Sequence, residues 1–91
     1  MALPSQGAEG HAIRMAIVIH QRLDLQGAPP QLTLSRVSDS VRALATGELV
    51  EVLASDPAAV REIEAWSRAT GNAVLESSQF GNVLRIVVRK L

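Results

Sequence analysis

Few residues in this chain have types that could do chemistry on a substrate, and most of them stand apart. The 91 residues include no cysteine and no tyrosine, which excludes disulfides, cysteine zinc sites, iron–sulfur ligation and thiol chemistry. The two histidines, His11 and His20, fall into no triad or metal-ligand spacing. Thr33 and Ser35 lie near the start of an expected helix, but a hydroxyl needs a neighbouring base before it becomes a nucleophile. Asp24, Glu51, Glu62, Glu64 and Glu76 are spread over separate elements and read as surface charges, not as an acid–base pair. No catalytic residue, metal site or cofactor is expected from this set.

Two places remain for binding. Gly27-Ala28-Pro29-Pro30-Gln31, with Thr33 just beyond, precedes the first expected helix, whose leading N–H groups could hold an anion or a partner's carboxylate. The plain alternative is a rigid Pro-Pro connection. Arg85, Arg89 and Lys90 form a small basic group near the end of the sequence. Nine basic side chains balance nine acidic ones, for a formal net charge of zero. That group would therefore hold an anionic partner only locally and with strong salt sensitivity. The same balance argues against direct nucleic-acid binding, which calls for a basic excess.

The elements that must position these residues follow from periodicity and punctuation. Leu23-Asp24-Leu25 alternates as a half-buried strand does and runs out at Gly27. Pro29-Pro30 then forces a loop or a helix start. Leu34, Val37, Val41 and Leu44 recur on one helical face, leaving Arg36, Ser38, Asp39 and Arg42 for solvent. Gly47 is expected just past the end of that helix, in a left-handed conformation. Residues 48–54 (ELVEVLA) read as a largely buried strand.

Asp56-Pro57 is the clearest local signal: the carboxylate accepts from a first-turn N–H, and Pro57 gives up a donor the helix never needed. Ala59, Ile63, Trp66 and Thr70, flanked by Val60, make the apolar stripe of a second helix that Gly71 closes. On that stripe Trp66 reads as core. Residues 73–78 form a third strand, Phe80-Gly81-Asn82 turns the chain, and Val83–Arg89 (VLRIVVR) returns as a fourth. The order β-α-β-α-β-β predicts an α/β two-layer sandwich, with two helices on one face of a four-stranded mixed sheet.

One domain over residues 15–91 accounts for the length, with residues 1–14 a flexible tail containing Pro4, Gly7 and Gly10. Met15 is an alternative start. The Met15–Ile19 run is too short to span a bilayer or to form a signal-peptide core, so a soluble cytoplasmic chain is expected. If Val50, Val52, Ala54, Leu84, Ile86 and Val88 meet the helices, the opposite sheet face carries Leu49, Leu53, Val83 and Val87 among Glu51, Arg85 and Arg89. That face is either solvated or covered, by the Ile13–Ile19 segment or by a second subunit. The same segment could instead add an edge strand.

Leu23-Asp24-x-x-Gly27, Gly47-Glu48, Asp56-Pro57-x-x-x-x-Glu62-Ile63-x-x-Trp66, Gly71 and Val88-Arg89-Lys90 stand in an order that resembles the TusA/SirA-like sulfur-carrier family. The resemblance covers about residues 20–91 and implies the same β-α-β-α-β-β sandwich. It also implies partners: a cysteine desulfurase, a downstream sulfur acceptor or an active paralogue. In that family a Cys-Pro-x-Pro motif at the first helix start carries sulfur as a persulfide, the thiolate being favoured by free N–H groups and the positive helix end. Here a gap-free register puts Pro30 at the cysteine position, followed by Gln31, Leu32 and Thr33. A register shifted two residues earlier puts Ala28-Pro29-Pro30-Gln31 there instead. Neither supplies a thiol, so the expected role is a non-catalytic binding or regulatory module in sulfur trafficking. The alternative is a small anionic-ligand binder, or an enzyme of another class, using the Gly27–Gln31 loop.

Overall fold

The structure, a computed structural model, describes residues 18–91; the expected tail at 1–14, His11 and most of the Ile13–Ile19 segment lie outside the described residues. The elements are β1 (Gln21–Asp24), α1 (Pro30–Ala43), β2 (Leu49–Ala54), α2 (Pro57–Thr70), β3 (Ala73–Phe80) and β4 (Val83–Arg89). The strands form one sheet in the order β1-β2-β4-β3. β1 runs parallel to β2, whereas β4 is antiparallel to both of its neighbours. This is the expected mixed sheet with both helices on one side.

The core lies between the sheet and the helices. Val50, Val52, Ile86 and Val88 project from the sheet to meet Val37, Val41, Leu44 and Ile63, with Leu23, Leu25, Leu34, Trp66 and Val74 packed around them. Strict alternation in β2 and β4 puts every second aliphatic on this face. Polar residues fill three buried helix positions. Thr33, Ser40 and Ser67 are buried, and each hydroxyl donates, to Pro29 O, to Gln21 Oε1 and to Ile63 O respectively. Burial without such bonds would cost about 1–3 kcal/mol per group.

The helix ends differ from expectation in one place. Asp56 Oδ1 accepts from Ala58 N at 2.9 Å, and Gly71 closes α2 at φ +76°. α1, however, ends before Gly47 can act. Leu44 turns extended at φ −79° and ψ 153°, which buries its side chain under the core. Gly47 instead makes the turn into β2 at φ +90°, donating its N–H to Lys90 O at 2.7 Å. The apolar stripe of α2 is also narrower than expected, because Thr70 is exposed and Ser67 takes a buried position.

β3 is longer than its sequence suggested and includes Phe80, leaving Gly81-Asn82 as a two-residue turn. Gly81 has φ +62°, as the first central residue of a II′ hairpin turn requires. The register shifts between Val74 and Glu76, so Leu75 is the extra residue of a β-bulge. The bulge leaves Leu75 half exposed.

Candidate functional site

The Gly27–Gln31 loop lies beyond the carboxyl ends of the two parallel strands, where both helices begin. Ligand sites in open α/β sheets favour that location. Its shape is held from several sides. Asp24 Oδ1 accepts from the main-chain N of Gln26 at 3.2 Å and from its side-chain Nε2 at 3.0 Å. Ala28 N donates to Leu25 O at 3.1 Å. Gly27, at φ +84°, donates its N–H to Ser55 Oγ at 2.9 Å. Ser55 immediately precedes the Asp56 cap, so this bond ties the loop before α1 to the start of α2.

Pro29 is the N-cap of α1, with no side-chain cap, and Pro30 is its first residue. Thr33 uses both its N–H (3.0 Å) and its hydroxyl (3.1 Å) on Pro29 O. Being fully buried, it supports the loop from beneath and shows no side chain to a ligand. Gln31 and Leu32 are exposed, and their N–H groups have no partner among the described residues. The loop thus offers two main-chain donors, the Gln31 amide and an apolar rim of Pro29 and Leu32. Asp56 Oδ1 is taken by the Ala58 N–H, Ile63 is in the core, and Trp66 is half-buried against it.

Arg85, Arg89 and Lys90 are not gathered into one cationic patch. The Lys90 ammonium donates to Leu44 O at 2.7 Å and to Arg42 O at 3.3 Å, and so satisfies carbonyls left over at the end of α1. Arg89 is exposed on the sheet face away from the helices. On that same face Arg85 bonds Glu51 at 2.6 Å and Glu76 at 2.5 Å, while Arg22 reaches Glu51 at 3.4 Å. The hydrogen bonds that Arg85 donates to Glu51 and then to Glu76 raise its pKa above the ordinary value. The hydrogen bond from Arg85 leads the causes that hold the Glu76 carboxyl below its ordinary value.

These four charges form a row that no single stretch of sequence contains. It runs Arg22 on β1, Glu51 on β2, Arg85 on β4 and Glu76 on β3, alternating in sign across all four strands. Val87 lies between Glu51 and Glu76 in the register, so the Arg85 side chain that bridges those carboxylates passes over it. That accounts for the burial of Val87 on a face without helices. Beside the row, Val18, His20, Gly47, Leu49, Leu75 and Arg89 line a groove of about 290 Å³. The alternation of β2 and β4 signalled which residues share this face; nothing local signalled the Leu75 bulge or the strand order.

Among the described residues no group of three or more His, Asp or Glu side chains could hold a metal, and no helix is long and apolar enough to cross a membrane.

Comparison with known proteins places this geometry. A family model described as sulfurtransferase TusA matches residues 21–90. The sulfur carrier protein TusA of Allochromatium vinosum is 30% identical over 70 residues, which span 77% of this chain and 92% of that protein. The putative sulfur carrier protein YrkI of Bacillus subtilis is 29% identical, over 75% of this chain and 91% of its own length. In fold, a crystal structure of a SirA-like protein from Desulfitobacterium hafniense matches with a TM-score of 0.70 at 15% identity, covering 76% of this chain and 95% of that one. With the family model spanning every described element and relatives matched over about nine-tenths of their length, the chain belongs to the TusA family of sulfur carriers.

Proposed function

We propose that the protein is a non-catalytic binding module of a sulfur relay, docking where thiol-bearing relatives dock and carrying no sulfur itself. One observation carries this reading: Pro30 occupies the first position of α1 and the 91 residues contain no cysteine. Serine or threonine offers no substitute, because Thr33 is buried and bonded, and a hydroxyl cannot hold a sulfane sulfur as a persulfide does. The rest of the scaffold supports recognition. The loop is braced by Asp24 and Ser55, two helix starts lie side by side, and Pro29, Gln31 and Leu32 are exposed on one rim. A loop held in advance loses little entropy on docking. The partner class is a protein of the relay: a cysteine desulfurase, a sulfur acceptor or an active paralogue.

Incubation of the full chain with a cysteine desulfurase and cysteine carrying labelled sulfur tests both halves. Intact-mass spectrometry should show no covalent sulfur on the chain, while a pull-down retains the desulfurase, the acceptor or the paralogue. A covalent sulfur adduct would sink the reading, as would failure to bind any of the three.

A second reading draws on the N–H groups of Gln31 and Leu32, unpartnered among the described residues, which suit a small anion. Titration with inorganic phosphate, followed by amide NMR, should then shift those two resonances first. Unmoved resonances count against it.

A further inference from the structure

The sheet face opposite the helices has a property that its individual residues do not suggest. Its charges read plus, minus, plus, minus across β1, β2, β4 and β3. An alternating row of even length is its own complement when turned end for end. A two-fold axis lying in the plane of the face, along the strands and between β2 and β4, performs that rotation. It sets Arg22 against Glu76 of the partner subunit and Glu51 against Arg85 of the partner subunit, with both contacts repeated by symmetry. Each of the four charges in the row meets its opposite.

The same rotation acts on the apolar groove. Val18 stands on the β1 side and Leu75 on the β3 side, and they are 64% and 49% exposed. Leu49 and Arg89 face each other on β2 and β4, astride the axis, and His20 lies level with Ala73, so the two-fold lays His20 over Ala73 of the partner subunit and one groove over the other. We infer that this face is a self-association surface whose occupant is a second copy of this chain. Sheets that pack face to face keep their strands aligned within about 30°, which this axis provides. An isologous contact of this kind closes after two copies.

Two further observations fit a second copy. Within each chain Glu51 and Arg85 already hold each other, with side chains only 16% and 27% exposed. Covering them therefore removes little additional water, and that desolvation is the usual cost of a buried ion pair. The chain also has a formal net charge of zero, so no long-range repulsion opposes self-association.

The test compares the full wild-type chain with a charge-reversed one carrying Arg22→Glu, Glu51→Arg, Glu76→Arg and Arg85→Glu. Reversal keeps the alternation within a chain and between two reversed chains, but it sets like against like in a mixed pair. Sedimentation velocity should show wild type and reversed chain each forming dimers, and a fluorescence-mixing experiment should show that the two do not co-associate. The single substitution Arg85→Glu should weaken self-association by about tenfold or more, and added salt should weaken the wild-type dimer.

Because the chain has no cysteine of its own, a second measurement is independent of the charge reversal and of whether that variant folds. His20→Cys and Ala73→Cys chains, mixed under mild oxidation, should cross-link to each other far faster than either links to itself. A wild-type chain that stays monomeric up to about 1 mM overturns the inference and leaves the face to another occupant. A dimer that mixes freely with the reversed chain, or that fails to cross-link His20→Cys to Ala73→Cys, overturns it too.

Discussion

Arg85 shows how far one side chain's role depends on what lies beside it. As a letter in VLRIVVR it is a cation on a strand; in the fold it bridges two carboxylates and roofs Val87. Glu76 is the more informative partner, because its folded pKa lies below its ordinary value. A lowered carboxyl contributes stability above its unfolded pKa and loses it as pH falls through the folded one. Glu76→Gln should therefore destabilise the chain at neutral pH, by no more than about 0.5 kcal/mol because the group is half exposed. The difference from wild type should shrink as pH falls below about 4. Urea unfolding at about pH 7 and about pH 3 measures both. A gap of equal size at both values would mean that Glu76 acts through packing and not through charge.

At the scale of elements, the two helices end by different devices. α2 carries its own punctuation, with the Asp56 cap at one end and left-handed Gly71 at the other. Asp56→Ala should cost about 1 kcal/mol, seen as a lower urea midpoint with an unchanged slope. α1 has neither device. Its start has no side-chain cap, and its last carbonyls are met by Lys90, distant in sequence. That contrast explains what could be read in advance. Asp56-Pro57 and Gly71 are local chemistry, so α2 was legible from end to end. The end of α1 depends on burying Leu44 and on a lysine brought in by β4, which no window of sequence contains, so in the sequence Gly47 reads as its terminator. The charge row was hidden for the same reason, since its members become neighbours only in the order β1-β2-β4-β3.

For the whole molecule, the two-layer sandwich rests on one principal core, with Ile63 and Ile86 the largest of its fully buried side chains. A domain of this size has little surplus, because total stabilities of about 5–15 kcal/mol are usual and small domains bury proportionately less. Ile63→Ala should remove about 2–5 kcal/mol and lower the melting temperature sharply; a melt within a few degrees of wild type would mean that the site collapses around the smaller residue. The fold was legible because alternation in β2 and β4 and the two amphipathic helices agree with one another. The loop before α1 was legible as a place, from its prolines and Gly27, but not in its bracing by Ser55 or in the burial of Thr33. That loop has a consequence for chemistry under stress. Peroxide converts a reactive thiolate first to a sulfenic acid and then to dead-end acids, and alkylating agents cap it outright. With Pro30 leading α1, neither reagent has a target there. Conditions that silence thiol-bearing carriers leave the loop before α1 chemically unchanged, so under the proposed docking role its share of a common partner would rise as theirs falls.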